Sequence, residues 1–131
     1  MTDTDREDRL YRLVERFYEK GRPDPLLGPI FQSAIHDWPG HIRIVADFWS
    51  HALFGTDRYR GHPFPAHMNL AFPPEAFDRW LELFAEAAAE ILTPMEAEMA
   101  MSRARHMTKS FRVGLFPYTG PDGRPSRTMP R

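Results

Sequence analysis

The chain has no cysteine. That absence excludes a disulfide framework, a thiol nucleophile and a thiolate metal site together. It also lacks a long apolar run, because Arg43, Asp47, Asp78, Arg79, Glu82 and Glu86 interrupt the best candidates. A bilayer span needs about 18 to 20 such residues, so no membrane crossing is expected. Charge of one sign is missing too: the formal net charge is −1, with both signs interspersed. No footprint for a phosphate backbone or an anionic membrane surface results, and neither nucleic acid nor membrane is an expected partner. The opening "MTDTDREDRLYR" is too charged for a signal peptide, which makes the cytoplasm the expected compartment.

Catalytic signatures are also absent. No helix carries Glu-x-x-His or His-Glu-x-x-His, and there is no glycine-rich phosphate cradle and no Gly-x-Ser-x-Gly. Di-iron carboxylate, zinc-protease, nucleotide-binding and serine-hydrolase readings therefore fail.

What the chain does have is helical periodicity. Its 131 residues fit one domain, and 42% apolar with 13% aromatic residues describes a globule with a ring-rich interior. Wherever the apolar spacing is regular it is that of a helix, so the fold class is all-α. A first helix is expected from about Asp5 to Lys20, with Leu10, Leu13, Val14, Phe17 and Tyr18 on one side and Gly21 as its stop. "GRPDPLLGPIF" holds too many prolines and glycines to continue it as one regular helix, and should turn the chain so that Leu26, Leu27, Ile30 and Phe31 enter the core.

After "HDWPG" comes "GHIRIVADFWSHALFG", a stretch in which His41, Val45, Phe48 and Ala52 share one helical face before Gly55. Glu75–Leu92 carries the clearest stripe, Phe77, Trp80, Leu81, Phe84, Ala88 and Ile91. Thr93, Pro94 and Glu96 then form a capping box that opens a last helix, with Ala100, Ala104, Met107 and Phe111 as its buried stripe. Residues 1–116 are read as the domain; the proline- and glycine-rich tail 117–131 is expected to be disordered.

Four side chains with polar or ring chemistry fall at core-facing positions: Tyr18, His41, His67 and Trp80. Each alone is an ordinary core residue with a satisfied polar atom. Together, in an all-α chain of this size, they suit a large planar cofactor, since haem needs one axial imidazole and an apolar slot with ring contacts. The other reading is a cofactor-free helical interaction module whose arginine-bearing tail docks a partner.

One set of residues favours the first reading: "FYEK" with Phe17 and Tyr18, "DPLLGPIF" ending at Phe31, Trp38 three before His41, "DFW" at Asp47 to Trp49, "YRGHP" at Tyr59 to Pro63, His67, and "FDRWLELF" from Phe77 to Phe84. In this order and spacing the chain resembles a truncated haemoglobin, the two-over-two helical globins, and within them the third group.

The resemblance implies haem b, with iron held by His67 as proximal ligand. It places Tyr18, His41 and Trp80 on the distal side, Phe31 as the wedge against the macrocycle, and Val45 and Phe48 facing it. Leu70 lines the proximal segment, and Tyr59 is the best of several groups that could reach the haem edge. O2, NO or CO is the implied ligand, and NO oxidation or peroxide reduction with a reductase partner is the implied enzymatic extension. "HDWPG" makes a short approach to the distal helix and leaves the behaviour of His41 open between gate, hydrogen-bond donor and sixth ligand.

Overall fold

A computed structural model of the chain describes residues 3–61 and 72–127. Five helices occur among them: α1 Asp3–Gly21, α2 Leu27–Ala34, α3 Trp38–Phe54, α4 Glu75–Ile91 and α5 Pro94–Leu115. α1 packs on both α3 and α4, and α5 packs on α4 and α3, which gives two layers of two helices. No helix among the described residues is long and apolar enough to cross a membrane.

α1 is amphipathic at steps of three, one and three: Leu10, Leu13, Val14 and Phe17 are all at most 4% exposed. Its other face ties it to α4 through Arg16 and Lys20, which meet Glu90 at 2.6 and 3.0 Å. These hydrogen bonds, Arg16 first, hold the Glu90 carboxyl down to about 2. The pairs are exposed and set register more than stability.

The turn after α1 is held by a buried carboxylate. Asp24 accepts the N–H groups of Leu26 and Leu27 at 3.1 and 2.9 Å and the Arg79 guanidinium from α4 at 2.7 Å. Burial pushes this carboxyl up, but the Leu27 N–H, Arg79 and the Leu26 N–H outweigh it and leave it below its ordinary 3.8. A depressed folded value means stability that is present above the unfolded value and lost as pH falls through the folded one. Asp24→Asn should therefore cost about 1 to 3 kcal/mol at neutral pH. The gap between variant and parent should close on acidification, as urea melts across pH would record.

α2 forms despite Pro29 because that proline lies in its first turn, where an N–H has no helical partner to lose. Leu27 is buried as expected, while Leu26, Ile30 and Phe31 are half-buried. The corner is tight at Gly28, where a Cβ would stand 2.4 Å from the Arg22 carbonyl oxygen. Backbone cannot yield there as a side chain would, so Gly28→Ala should destabilise by about 1 to 3 kcal/mol in chemical denaturation.

α3 starts two residues before Gly40. Asp37 caps it, its carboxylate accepting from Gly40 N at 3.2 Å, and Pro39 fits the first turn. Gly55 closes it with φ of 68°, a left-handed residue at the helix end. α4 begins and ends within a residue of expectation, and the Thr93–Glu96 capping box is present in both directions, at 3.2 and 3.1 Å.

Of the tail, residues 117–127 are described. Tyr118–Thr119 and Pro125–Ser126 pair as an antiparallel ribbon, turned at Gly123 with φ of 79°. Its anchors are cationic rather than apolar: Arg127 lies over the rings of Phe72 and Phe116 at 4.9 and 5.0 Å, and Arg124 pairs with Glu75. The rings of these contacts come from the domain and only the guanidinium from the tail.

Candidate functional site

Tyr18, near the end of α1, is 7% exposed and boxed by four rings. Phe17, Phe31 and Trp38 each have centroids 5.1 Å from its own, and His41 is at 5.4 Å. Phe31 reaches this box because Gly21 has no side chain; a Cβ there would sit 2.8 Å from the Phe31 ring. The Tyr18 hydroxyl meets His41 Nε2 at 2.7 Å. Burial pushes the Tyr18 phenol well above its usual value, so it stays a neutral hydroxyl.

Trp80 joins through Phe17, at 5.3 Å between centroids. Its indole stacks on Phe84 at 4.8 Å and 8°, and Phe84 stacks in turn on Trp49 at 4.8 Å and 21°. This column fixes the plane of Trp80. Among the described residues its N–H meets no acceptor.

His41, Val45, Phe48 and Ala52 lie along one face of α3 as expected, but that face is half-buried. The residues of α3 that pack fully into the protein are Ala46, Trp49 and Ser50, a third of a turn away. Ser50, with no exposure, donates to Glu7 Oε1 at 2.7 Å and takes the Thr56 hydroxyl at 2.7 Å. α3 thus has one fully buried face and a second, half-buried apolar one, whose Ala52 borders the cleft toward α5. Phe48 meets Tyr59 edge-on at 5.3 Å, and burial raises the Tyr59 phenol. Arg58, near it, is drawn off to Glu7 at 3.5 Å.

The structure brings Tyr18, Phe31, His41 and Trp80 into one ring cluster, with Val45 and Phe48 continuing its α3 wall and Tyr59 at the far end. His67 and Leu70 lie outside the described residues. A separate cleft of about 590 Å³ between α3 and α5, lined by Leu53, Met95, Met99 and His106 among others, contains none of these residues. Trp38, which the sequence offered with no role at the site, and Arg22, which it did not single out, also belong to the cluster: Arg22 covers the Trp38 ring at 4.2 Å. Trp38 stands three residues before His41, and that one-turn spacing was the signal available.

The family profile of bacterial-like globins matches residues 6–113. The chain belongs to the bacterial-like globin family. The globin is 34% identical to the group 3 truncated hemoglobin ctb of Campylobacter jejuni over 123 residues, covering 90% of this chain and 97% of that protein. It also matches the crystal structure of the group III truncated hemoglobin from the same species, with a TM-score of 0.75 and 35% identity over 80% of this chain and 87% of that one. Globins of this family bind haem b and, through it, small diatomic ligands.

The residues present fit that cofactor. The half-buried face of α3, with Val45 and Phe48 beside His41, has the apolar and ring chemistry that a flat macrocycle packs against. The donors gathered beside it, a phenol, an imidazole and an indole, are suited to a small polar ligand rather than to a free cation. Indeed, among the described residues no three His, Asp or Glu side chains gather as a metal site.

Proposed function

We propose that this globin retains a diatomic ligand, O2 first, at a distal site of Tyr18, His41 and Trp80, with His67 as the axial ligand and Phe31, Val45, Phe48, Tyr59 and Leu70 around the macrocycle. Haem, when bound, would supply an iron able to take a small ligand, with His67 the residue that would hold it. The observation that carries the reading is the 2.7 Å contact between Tyr18 Oη and His41 Nε2.

That contact has two proton arrangements. With its proton on Nε2, His41 donates to Tyr18, and the Tyr18 O–H is released to donate toward the ligand side. With the proton on Nδ1, Tyr18 donates to His41 and the site loses its hydroxyl donor. The His41 tautomer therefore decides whether the phenol serves the ligand. Trp80 donates in either case, its plane held by Phe84 and Phe17.

The same pair supports chemistry on NO or peroxide as an extension. His41 is half-buried while Tyr18 is buried, so the two make a short path along which a proton passes from the surface to the distal side. Such turnover calls for a reductase as electron donor, and a cytoplasmic setting belongs to the same proposal.

The test is optical. Apo-protein titrated with hemin should develop a sharp Soret band, and ferrous protein without added ligand should show whether His41 also binds iron. Absence of the band in both purified and hemin-treated protein overturns the reading.

A further inference from the structure

Trp38 is the first residue of α3 and His41 stands one turn later. Side chains on a helix lean toward its N-terminus, so the imidazole of residue 41 lies back over the turn that holds residue 38. Three rings close on one another there: Trp38 to Tyr18 at 5.1 Å, Tyr18 to His41 at 5.4 Å, and Trp38 to His41 at 6.4 Å. The outer face of Trp38 is covered by Arg22 at 4.2 Å. Arg22 is itself fixed as the first residue after α1, its N–H bonded to the Tyr18 carbonyl at 2.9 Å.

We propose that Trp38, clasped by Arg22, is a positioning residue that holds His41 inward against Tyr18 and sets the rate at which a ligand reaches the distal side. The proposal rests on the reading of Tyr18 and His41 as the distal pair. Among the described residues the inward imidazole meets the hydroxyl of Tyr18 and the ring of Trp38. An outward swing breaks the contact with Tyr18 and shifts the ring against its neighbour Trp38, 6.4 Å away. The indole moves aside only by leaving Tyr18 on one edge and the guanidinium on its face. Arg22 is exposed, so the clasp is a surface feature acting on an inner group.

The test uses the full-length, haem-loaded protein and carbon monoxide as the probe, with flash photolysis for association and the infrared C–O stretch for the distal surroundings. Trp38→Ala and His41→Ala should each speed CO association by about three- to tenfold, the worth of one aromatic contact. Arg22→Ala should give about two- to fivefold. Trp38→Phe, which keeps a ring edge toward His41, should lie between parent and alanine variant. The double variant Trp38→Ala/His41→Ala should be no faster than the faster single, since both act through one group. Trp38→Ala should also split or broaden the C–O stretch, which a mere loss of stability leaves alone. A parental rate and stretch in a folded Trp38→Ala protein, with His41→Ala faster, overturns the role of Trp38. Parental rates in both His41→Ala and Tyr18→Phe overturn the distal reading and the proposal with it.

Discussion

His67→Ala protein mixed with hemin is expected to give no sharp Soret band where the parent chain gives one. The chain has no cysteine to offer as a substitute ligand, and among the described residues of the site the one imidazole, His41, is engaged by Tyr18 at 2.7 Å. Changes merely next to a metal ligand cost about 10- to 100-fold in affinity, and removal of the ligand itself should exceed that. Free imidazole added to the variant should restore the band, because the space left by the side chain accepts the ring. A band of parental position and height in the variant without imidazole would remove His67 from the role.

Tyr18→Phe is expected to keep haem and to release O2 about 10 to 100 times faster, as stopped-flow displacement by CO would measure. The variant deletes a buried donor and leaves the hydrocarbon ring in its box of Phe17, Phe31, Trp38 and His41. A hydrogen bond in a dry site is worth about 1 to 3 kcal/mol, which converts to that range. Trp80→Phe should act in the same direction, since its indole N–H has no competing acceptor among the described residues. Unchanged release in both variants rejects the distal assignment.

Helix limits and caps were legible from the sequence because they are local. Thr93, Pro94 and Glu96 announce α5, and Gly55 ends α3, by chemistry confined to a few neighbouring residues. The stripe of α4 lies partly to one side of the expected one: Phe77, Phe84 and Ala88 are buried together with Ala76, Leu83 and Ala87, while Trp80, Leu81 and Ile91 are half-buried, since α4 packs against both α1 and α5. On α3 the legible face was the half-buried one of His41, Val45, Phe48 and Ala52. The fully buried one contains Ser50, whose polarity hides it from a hydrophobic pattern and whose partner Glu7 comes from α1.

Long-range fits were less legible. Nothing near Gly21 or Gly28 in the chain says that Phe31 or the Arg22 carbonyl would press so close. The Asp24–Arg79 pair joins residues 55 positions apart, so it has no local signature. The contacts of Arg127 had no local signature either, because the rings of Phe72 and Phe116 lie earlier in the chain.

The column of Trp49, Phe84 and Trp80 runs from a core residue 2% exposed to the edge of the distal cluster, with neighbouring rings 4.8 Å apart. Two indoles held at fixed angles around a phenyl ring form a chiral chromophore, so the near-ultraviolet circular dichroism of this protein should carry a signal from that arrangement. Phe84→Leu would uncouple the two indoles, and since Phe84 also meets Phe17 edge-on at 6.2 Å its effect would reach the box around Tyr18. The state of the site can then be followed from inside the protein, by light absorbed well away from the haem bands.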